Sequence, residues 1–246
     1  MTERFLLSPP ALDTQKNSLL LDFDGTLVDL GERPDTVVVD ERLSTLLAQL
    51  SNRFSGRLAL VSGRSVDQLI GLFGQPSGGM ALIGSHGAEI VTSTRRSAPI
   101  PPLALTEVQR ELENAFGKRE GIVIEVKSYG IALHYRTVPD EEPAVRALAS
   151  RLIRDVDLEL QEGKMMIEVR VPGVDKGKGI AALMGEPPFA GTIPVFAGDD
   201  VTDEAGFVAV ARLSGIGVLV GPERPTAATC RLDDVAAVHA WLEQAL

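Results

Sequence analysis

The apolar run at residues 18–21 passes straight into Asp22-Phe23-Asp24-Gly25-Thr26-Leu27. A continuous apolar run of this kind reads as a strand buried on both faces, as in parallel sheets covered by helices on each side. Gly25 and Thr26 supply the tight turn by which the strand leaves the sheet. In open α/β sheets that edge, the carboxyl end of the strands, is where ligands bind. Asp22 and Asp24 both stand there, and they repel one another unless a cation or a proton lies between them. A solvated, Asp-rich turn capping a strand is the plainer reading of these six residues alone. The rest of the chain favours the functional one.

Strand and helix signals alternate through the first part. A one-sided apolar stripe (Leu43, Leu46, Leu47, Leu50) follows the first strand, with Asp40 placed to cap its helix. A second strand at 58–61 ends in Ser62-Gly63-Arg64, a helix is expected near 66–72, and a third strand at 81–83 precedes Gly84-Ser85-His86-Gly87. The pattern then changes. Three prolines stiffen residues 98–102. Thr106-Glu107-Val108-Gln109 fits a capping box opening a helix that ends by Gly117. Strands at 122–127 and 131–136 form a hairpin across Ser128-Tyr129-Gly130, and a helix over about 141–154 leads to a strand pair at 158–161 and 164–171. Alternation resumes with a helix after Lys176, a strand at 193–197, a helix after Asp203, a strand at 216–220 and a last helix from Asp233. The expected fold class is α/β: a Rossmann-like doubly wound parallel-sheet core, residues 1–97 and 174–246, with an inserted α+β cap domain at 98–173.

Bulk properties narrow the function classes. The net charge of −10, without a basic block, argues against a nucleic-acid partner. A single cysteine, Cys230, excludes an internal disulfide and a cysteine-based zinc site. No basic end followed by an apolar stretch opens the chain, and no apolar run has the length of a membrane span. A cytoplasmic, monomeric protein acting on a small molecule, with no membrane partner, is expected.

Alternation of side chains across a strand gives the inserted sheet two faces. Ile122, Ile124, Val126, Ile131, Leu133, Tyr135, Met165, Ile167, Val169 and Val171 share the apolar one, to be covered by the two helices. The other carries Glu125, Lys127, His134, Arg136, Lys164, Glu168 and Arg170. It reads equally as a solvated face and as a surface gripping a polyhydroxylated ligand through charge-assisted hydrogen bonds.

In such a core, several segments bring chemistry to one edge: Asp22 and Asp24, Ser62 and Arg64, Lys176 beside Gly177 and Gly179, and Gly198-Asp199-Asp200-Val201-Thr202-Asp203. Hard oxygen ligands without a Cys or His cluster favour Mg²⁺. A phosphate needs neutralising donors, and a carboxylate can act as nucleophile through an aspartyl-phosphate. Each piece has a plainer reading too. Lys176 serves as a helix-start lysine, and Asp203 as a helix cap.

In this order, Asp-Phe-Asp-Gly-Thr-Leu, Ser-Gly-Arg, Asp-Lys-Gly-Lys and Gly-Asp-Asp-Val-Thr-Asp-Glu resemble the four motifs of the haloacid dehalogenase superfamily of phosphatases. Ser-His-Gly-Ala-Glu at 85–89, the last of those four motifs, and Glu125-Val126-Lys127, His134-Tyr135-Arg136 and Glu168-Val169-Arg170 are similar to the trehalose-6-phosphate phosphatases within it. The resemblance implies that Asp22 attacks phosphorus while Asp24 serves as acid and then base, and that Ser62 and Lys176 hold the phosphoryl group. It implies Mg²⁺ between Asp22, the backbone carbonyl of Asp24, and Asp199, with Asp200 or Asp203 in support. Lys178 competes with Lys176, but the Lys-Gly order points to Lys176. Glu125, Lys127 and Glu168 would grip the sugar, with His86 and Arg64 as further substrate-binding candidates, under a mobile cap. Phosphatases for sucrose-type or glucosylglycerol-type phosphates, a phosphomutase and a non-catalytic sugar-phosphate sensor are the rivals. Gly179 stands where relatives often have alanine, a departure expected to weaken the helix slightly.

Overall fold

A computed structural model describes residues 6–29, 37, 39–73, 79–98, 100–163 and 165–246. The chain divides into two compact units, Met1–Ala98 with Asp175–Leu246, and Pro99–Val174.

The first unit opens with β1 (Asn17–Asp22), α1 (Glu41–Arg53), β2 (Leu58–Val61), α2 (Val66–Phe73), β3 (Ala81–Gly84), β4 (Glu89–Val91) and β5 (Arg96–Ser97). The second comprises α3 (Leu103–Phe116), β6 (Val123–Lys127), β7 (Gly130–His134), α4 (Glu142–Leu152), β8 (Glu159–Gly163) and β9 (Met166–Arg170). The chain then returns to the first with α5 (Lys176–Met184), β10 (Ile193–Gly198), α6 (Glu204–Arg212), β11 (Ile216–Val220), β12 (Cys230–Leu232) and α7 (Val235–Glu243).

The large sheet has the order β12-β11-β10-β1-β2-β3-β4-β5. All its pairs are parallel except β3–β4 and β4–β5. Period-two alternation explains why both faces are covered. Leu19, Leu21, Leu58 and Leu60 pack with α1, α2 and α7 on one side, while Leu20, Ala59, Val61 and Phe196 pack with α5 and α6 on the other. Asp40 caps α1, accepting the Leu43 N–H at 2.7 Å. The order runs outward in both directions from the β1–β10 pair, a topological switch point, and in open α/β sheets ligands bind beyond the carboxyl ends of the strands there. Register sets Asp22 level with Val61 and Leu21 level with Ala197, so Ser62 and Asp199 emerge beside Asp22.

The small sheet, β6-β7-β9-β8, is antiparallel throughout. Its apolar side is covered by Leu105, Val108, Leu112 and Phe116 of α3 and Val145 and Ala149 of α4. Three expectations need correction here. The helix α3 begins at Leu103 after Pro102, so Thr106 lies inside it and forms no capping box. Val126, assigned to the covered face, is 48% exposed on the edge strand β6. Arg136 lies beyond the end of β7 and is exposed. Lys164 lies outside the described residues. Among the described residues, no helix is long and apolar enough to cross a membrane.

Candidate active site

Asp22 ends β1 almost fully buried, with partners from the adjoining turn and from later segments of the chain. Lys176, the first residue of α5 and 3% exposed, donates from Nζ to Asp22 Oδ1 and to Asp203 Oδ1, each at 2.7 Å. Asp203 is wholly buried, and its Oδ2 accepts the Asp199 N–H at 3.0 Å and the Asp200 N–H at 2.9 Å. Thr26 Oγ1 donates to Asp22 Oδ2 at 3.3 Å. Lys178, the competitor, has its side chain 64% exposed and lies 3.9 Å from the Asp175 carboxylate. Lys176 is therefore the lysine of this cluster.

One carboxylate oxygen from each of Asp22, Asp199 and Asp203 lies within 4.8 Å of the others. Three acids against one ammonium leave negative charge in a buried place. Burial pushes the Asp22 carboxyl well above the usual range, and the charges of Asp203 and Asp199 add to it while Lys176 opposes. Asp199 is pushed up to about 6 by burial and by Asp203. Burial would lower the Lys176 ammonium, but Asp203 and Asp22 outweigh it and raise it, so it stays charged. Among the described residues the buried Asp199 Oδ1 has no hydrogen-bond partner. A divalent cation would satisfy that oxygen and the excess charge together, and the all-oxygen donor set suits a hard ion. Gly25 makes the approach possible: its φ is +85°, and a Cβ there would overlap the Asp199 carboxylate. Asp200 instead turns its Oδ1 to the Val201 N–H at 2.6 Å and stands outside the trio.

Asp24 meets the two prongs of Arg64: Nε donates to Oδ2 at 2.7 Å and Nη2 to Oδ1 at 2.6 Å. Arg64 also lies over the Phe23 ring, 5.4 Å from its centroid. Ser62, 1% exposed, accepts the Arg64 backbone N–H on Oγ at 3.1 Å, which uses a lone pair and not the hydroxyl proton. His86 sits in a left-handed turn (φ 54°) and donates its backbone N–H to the Ser62 carbonyl at 3.0 Å. Its ring lies so close over Gly63 that a Cβ there would come within 2.6 Å of Cε1. The turn is braced by Ser85 Oγ donating to the buried Glu89 carboxylate at 2.5 Å.

Glu125, Lys127 and Glu168 form a polar cluster on the small sheet. Register aligns Glu125, Ala132, Glu168 and Gln161 in one row. Lys127 Nζ donates to Glu168 Oε2 at 2.9 Å, and Glu125 meets His134 Nε2 at 3.0 Å. Arg170 is drawn aside to Glu159 and to the Val174 carbonyl.

Four residues of the first unit were given no part in the site by the sequence reading: Thr26, Glu89, Glu204 and Arg224. Thr26, Glu89 and Glu204 lay within quoted motifs, and the first two could have been found as partners four residues from Asp22 and Ser85. Arg224 reaches Asp199 and Asp200 across 24 or more positions and had no local signal.

The sequence model of the trehalose-phosphatase family matches residues 20–236. The trehalose-6-phosphate phosphatase of Escherichia coli is 37% identical over 246 residues, covering 99% of this chain and 91% of that protein. The probable trehalose-phosphate phosphatase of Sinorhizobium fredii is 39% identical over 222 residues, 89% of this chain and 83% of that one. Among solved structures, a trehalose-6-phosphate phosphatase related protein superposes with a TM-score of 0.73 at 30% identity, covering 92% of this chain and 95% of its own. The C-terminal domain of the C. albicans trehalose-6-phosphate phosphatase superposes with a TM-score of 0.77 at 23% identity over 99% of both chains, a shared fold.

Proposed function

The chain belongs to the trehalose-phosphatase family, and on that premise we propose that it hydrolyses trehalose 6-phosphate to trehalose and inorganic phosphate. The observation that carries this reading is the buried Asp22 at the switch point of the sheet, held by Lys176 and grouped with Asp199 and Asp203. Asp22 attacks phosphorus through a carboxylate oxygen, and the bond from phosphorus to the sugar oxygen breaks. Asp24 gives that oxygen a proton as the sugar leaves. Water then attacks the aspartyl-phosphate and yields its proton to Asp24. The phosphorus–carboxylate bond breaks, and phosphate departs with Asp22 restored. Lys176 and the Ser62 hydroxyl neutralise and orient the transferring oxygens.

Mg²⁺ is the cofactor of this reading; Asp22 and Asp199 would hold it, with the Asp24 carbonyl as a further candidate ligand and Asp203 in support. When bound it supplies Lewis-acid neutralisation of the phosphoryl oxygens. Asp203 contributes chiefly by fixing Lys176 and the loop N–H groups, because those contacts occupy both of its oxygens. Arg64 acts through Asp24, and His86 lies over the Ser62-Gly63-Arg64 segment.

Residues 98–173 act as the cap that selects the sugar. Glu125, Lys127 and Glu168 offer acceptors and a cation suited to sugar hydroxyls. Their partly buried setting supports selectivity, since a site built on buried polar groups rejects ligands that leave them unpaired. The chain acts as a cytoplasmic monomer, without nucleic-acid or membrane partners. Phosphate release measured across trehalose 6-phosphate, sucrose 6-phosphate, glucosylglycerol phosphate and glucose 6-phosphate tests the substrate. Preference for trehalose 6-phosphate is expected, and equal rates on all four would overturn it.

A further inference from the structure

Arg224, in the turn between β11 and β12, is tied to the loop that carries Asp199. Its Nη2 donates to the Asp200 carbonyl at 2.7 Å and to the Asp199 carbonyl at 3.3 Å. Its Nη1 donates to the Glu204 carboxylate and to the Pro225 carbonyl, the latter at 3.2 Å. The other Glu204 oxygen accepts the Ala227 N–H at 2.8 Å, which fastens the pair back to the same turn. From the opposite side Asp203 takes the N–H groups of Asp199 and Asp200. The backbone that carries Asp199 is thus held through its N–H groups by a carboxylate and through its carbonyls by a guanidinium. Only the side-chain torsions of Asp199 remain to be set, and its Oδ1 is the buried oxygen without a partner. We propose that Arg224, braced by Glu204, is a positioning residue that fixes Asp199 for binding a divalent cation.

The inference rests on the metal reading of the Asp22–Asp199–Asp203 group. It requires arginine, because only a planar fork reaches two carbonyls and a carboxylate at once, whereas a lysine supplies the charge at a single point. Groups that orient a metal ligand from behind typically change affinity by about 10–100-fold when removed.

The test is Mn²⁺ binding by electron paramagnetic resonance to the wild-type, R224M and R224K proteins, beside metal-free thermal melts and the metal dependence of phosphate release. Both variants are expected to bind Mn²⁺ about tenfold or more weakly and to need correspondingly more metal for half-maximal turnover. Where R224M does not fold, R224K decides, since it keeps the charge and loses the fork. Wild-type affinity in the folded variants overturns the role of Arg224 and leaves the metal reading standing. A wild-type protein that binds no Mn²⁺ overturns both.

Discussion

At the scale of single residues, the site is an arrangement of charge before it is an arrangement of shape. Asp22, Asp199 and Asp203 are forced together by two strand ends and a tight loop, and Lys176 neutralises only part of what they carry. The pKa directions give this a measurable sign. Without a cation, Asp199 keeps its proton up to a pH of about 6, and Asp22 is raised as well. Both must be deprotonated to bind metal, so protons compete with the ion. Mn²⁺ affinity measured between about pH 5 and 7.5 should therefore fall as the pH drops through about 6, by about tenfold per unit for each proton displaced. An affinity flat across that window would contradict the placement of Asp199 among the ligands. Asp22, Asp24 and Asp199 were legible because each follows an apolar run whose direction is fixed. Arg224 was not, because it binds backbone carbonyls that any residue provides.

Among the elements, buried strands and striped helices were readable from period and composition, whereas the short strands toward the ends of the large sheet were not. The strands β4, β5 and β12 have three, two and three residues, too few to show a period. The capping box at Thr106 matched a local pattern, but the helix begins earlier, directly after Pro102. Gly179 is the sharper lesson. By helix propensity alone, replacing it with alanine should stabilise α5 by about 1 kcal/mol. In the fold, however, a Cβ at 179 would lie 2.8 Å from Gly87 Cα and 2.8 Å from Ile83 Cγ2. Two glycines thus let α5 sit close against the Ser85–Gly87 turn, and the neighbour on one side is backbone that cannot rotate away. G179A is accordingly expected to destabilise the protein by about 1–3 kcal/mol in urea unfolding. A gain in stability would show that the turn yields freely.

For the molecule as a whole, the chain divides into two compact units, and the proposed reading gives chemistry to one and selectivity to the other. Their existence was legible in the proline-stiffened change of pattern near residue 98 and the return of alternation after 173. On the proposed reading the acids of the core serve any phosphate monoester, and the small sheet chooses the sugar. Removing Lys127, which pairs with Glu168 there, should discriminate. K127A is expected to lower kcat/KM for trehalose 6-phosphate by about 10–100-fold, the worth of a lost charge-assisted contact. Turnover of a small aryl phosphate, which has no disaccharide to grip, should change by less than about threefold. Equal losses on both substrates would place Lys127 in folding or chemistry instead. The central claim remains that Asp22 is the nucleophile of a trehalose 6-phosphate phosphatase. Phosphate release from trehalose 6-phosphate by wild-type and D22N proteins at saturating Mg²⁺ tests it most directly. A loss of at least ~10³-fold in kcat with the fold intact is predicted, and a D22N protein that keeps a substantial share of wild-type turnover would contradict it.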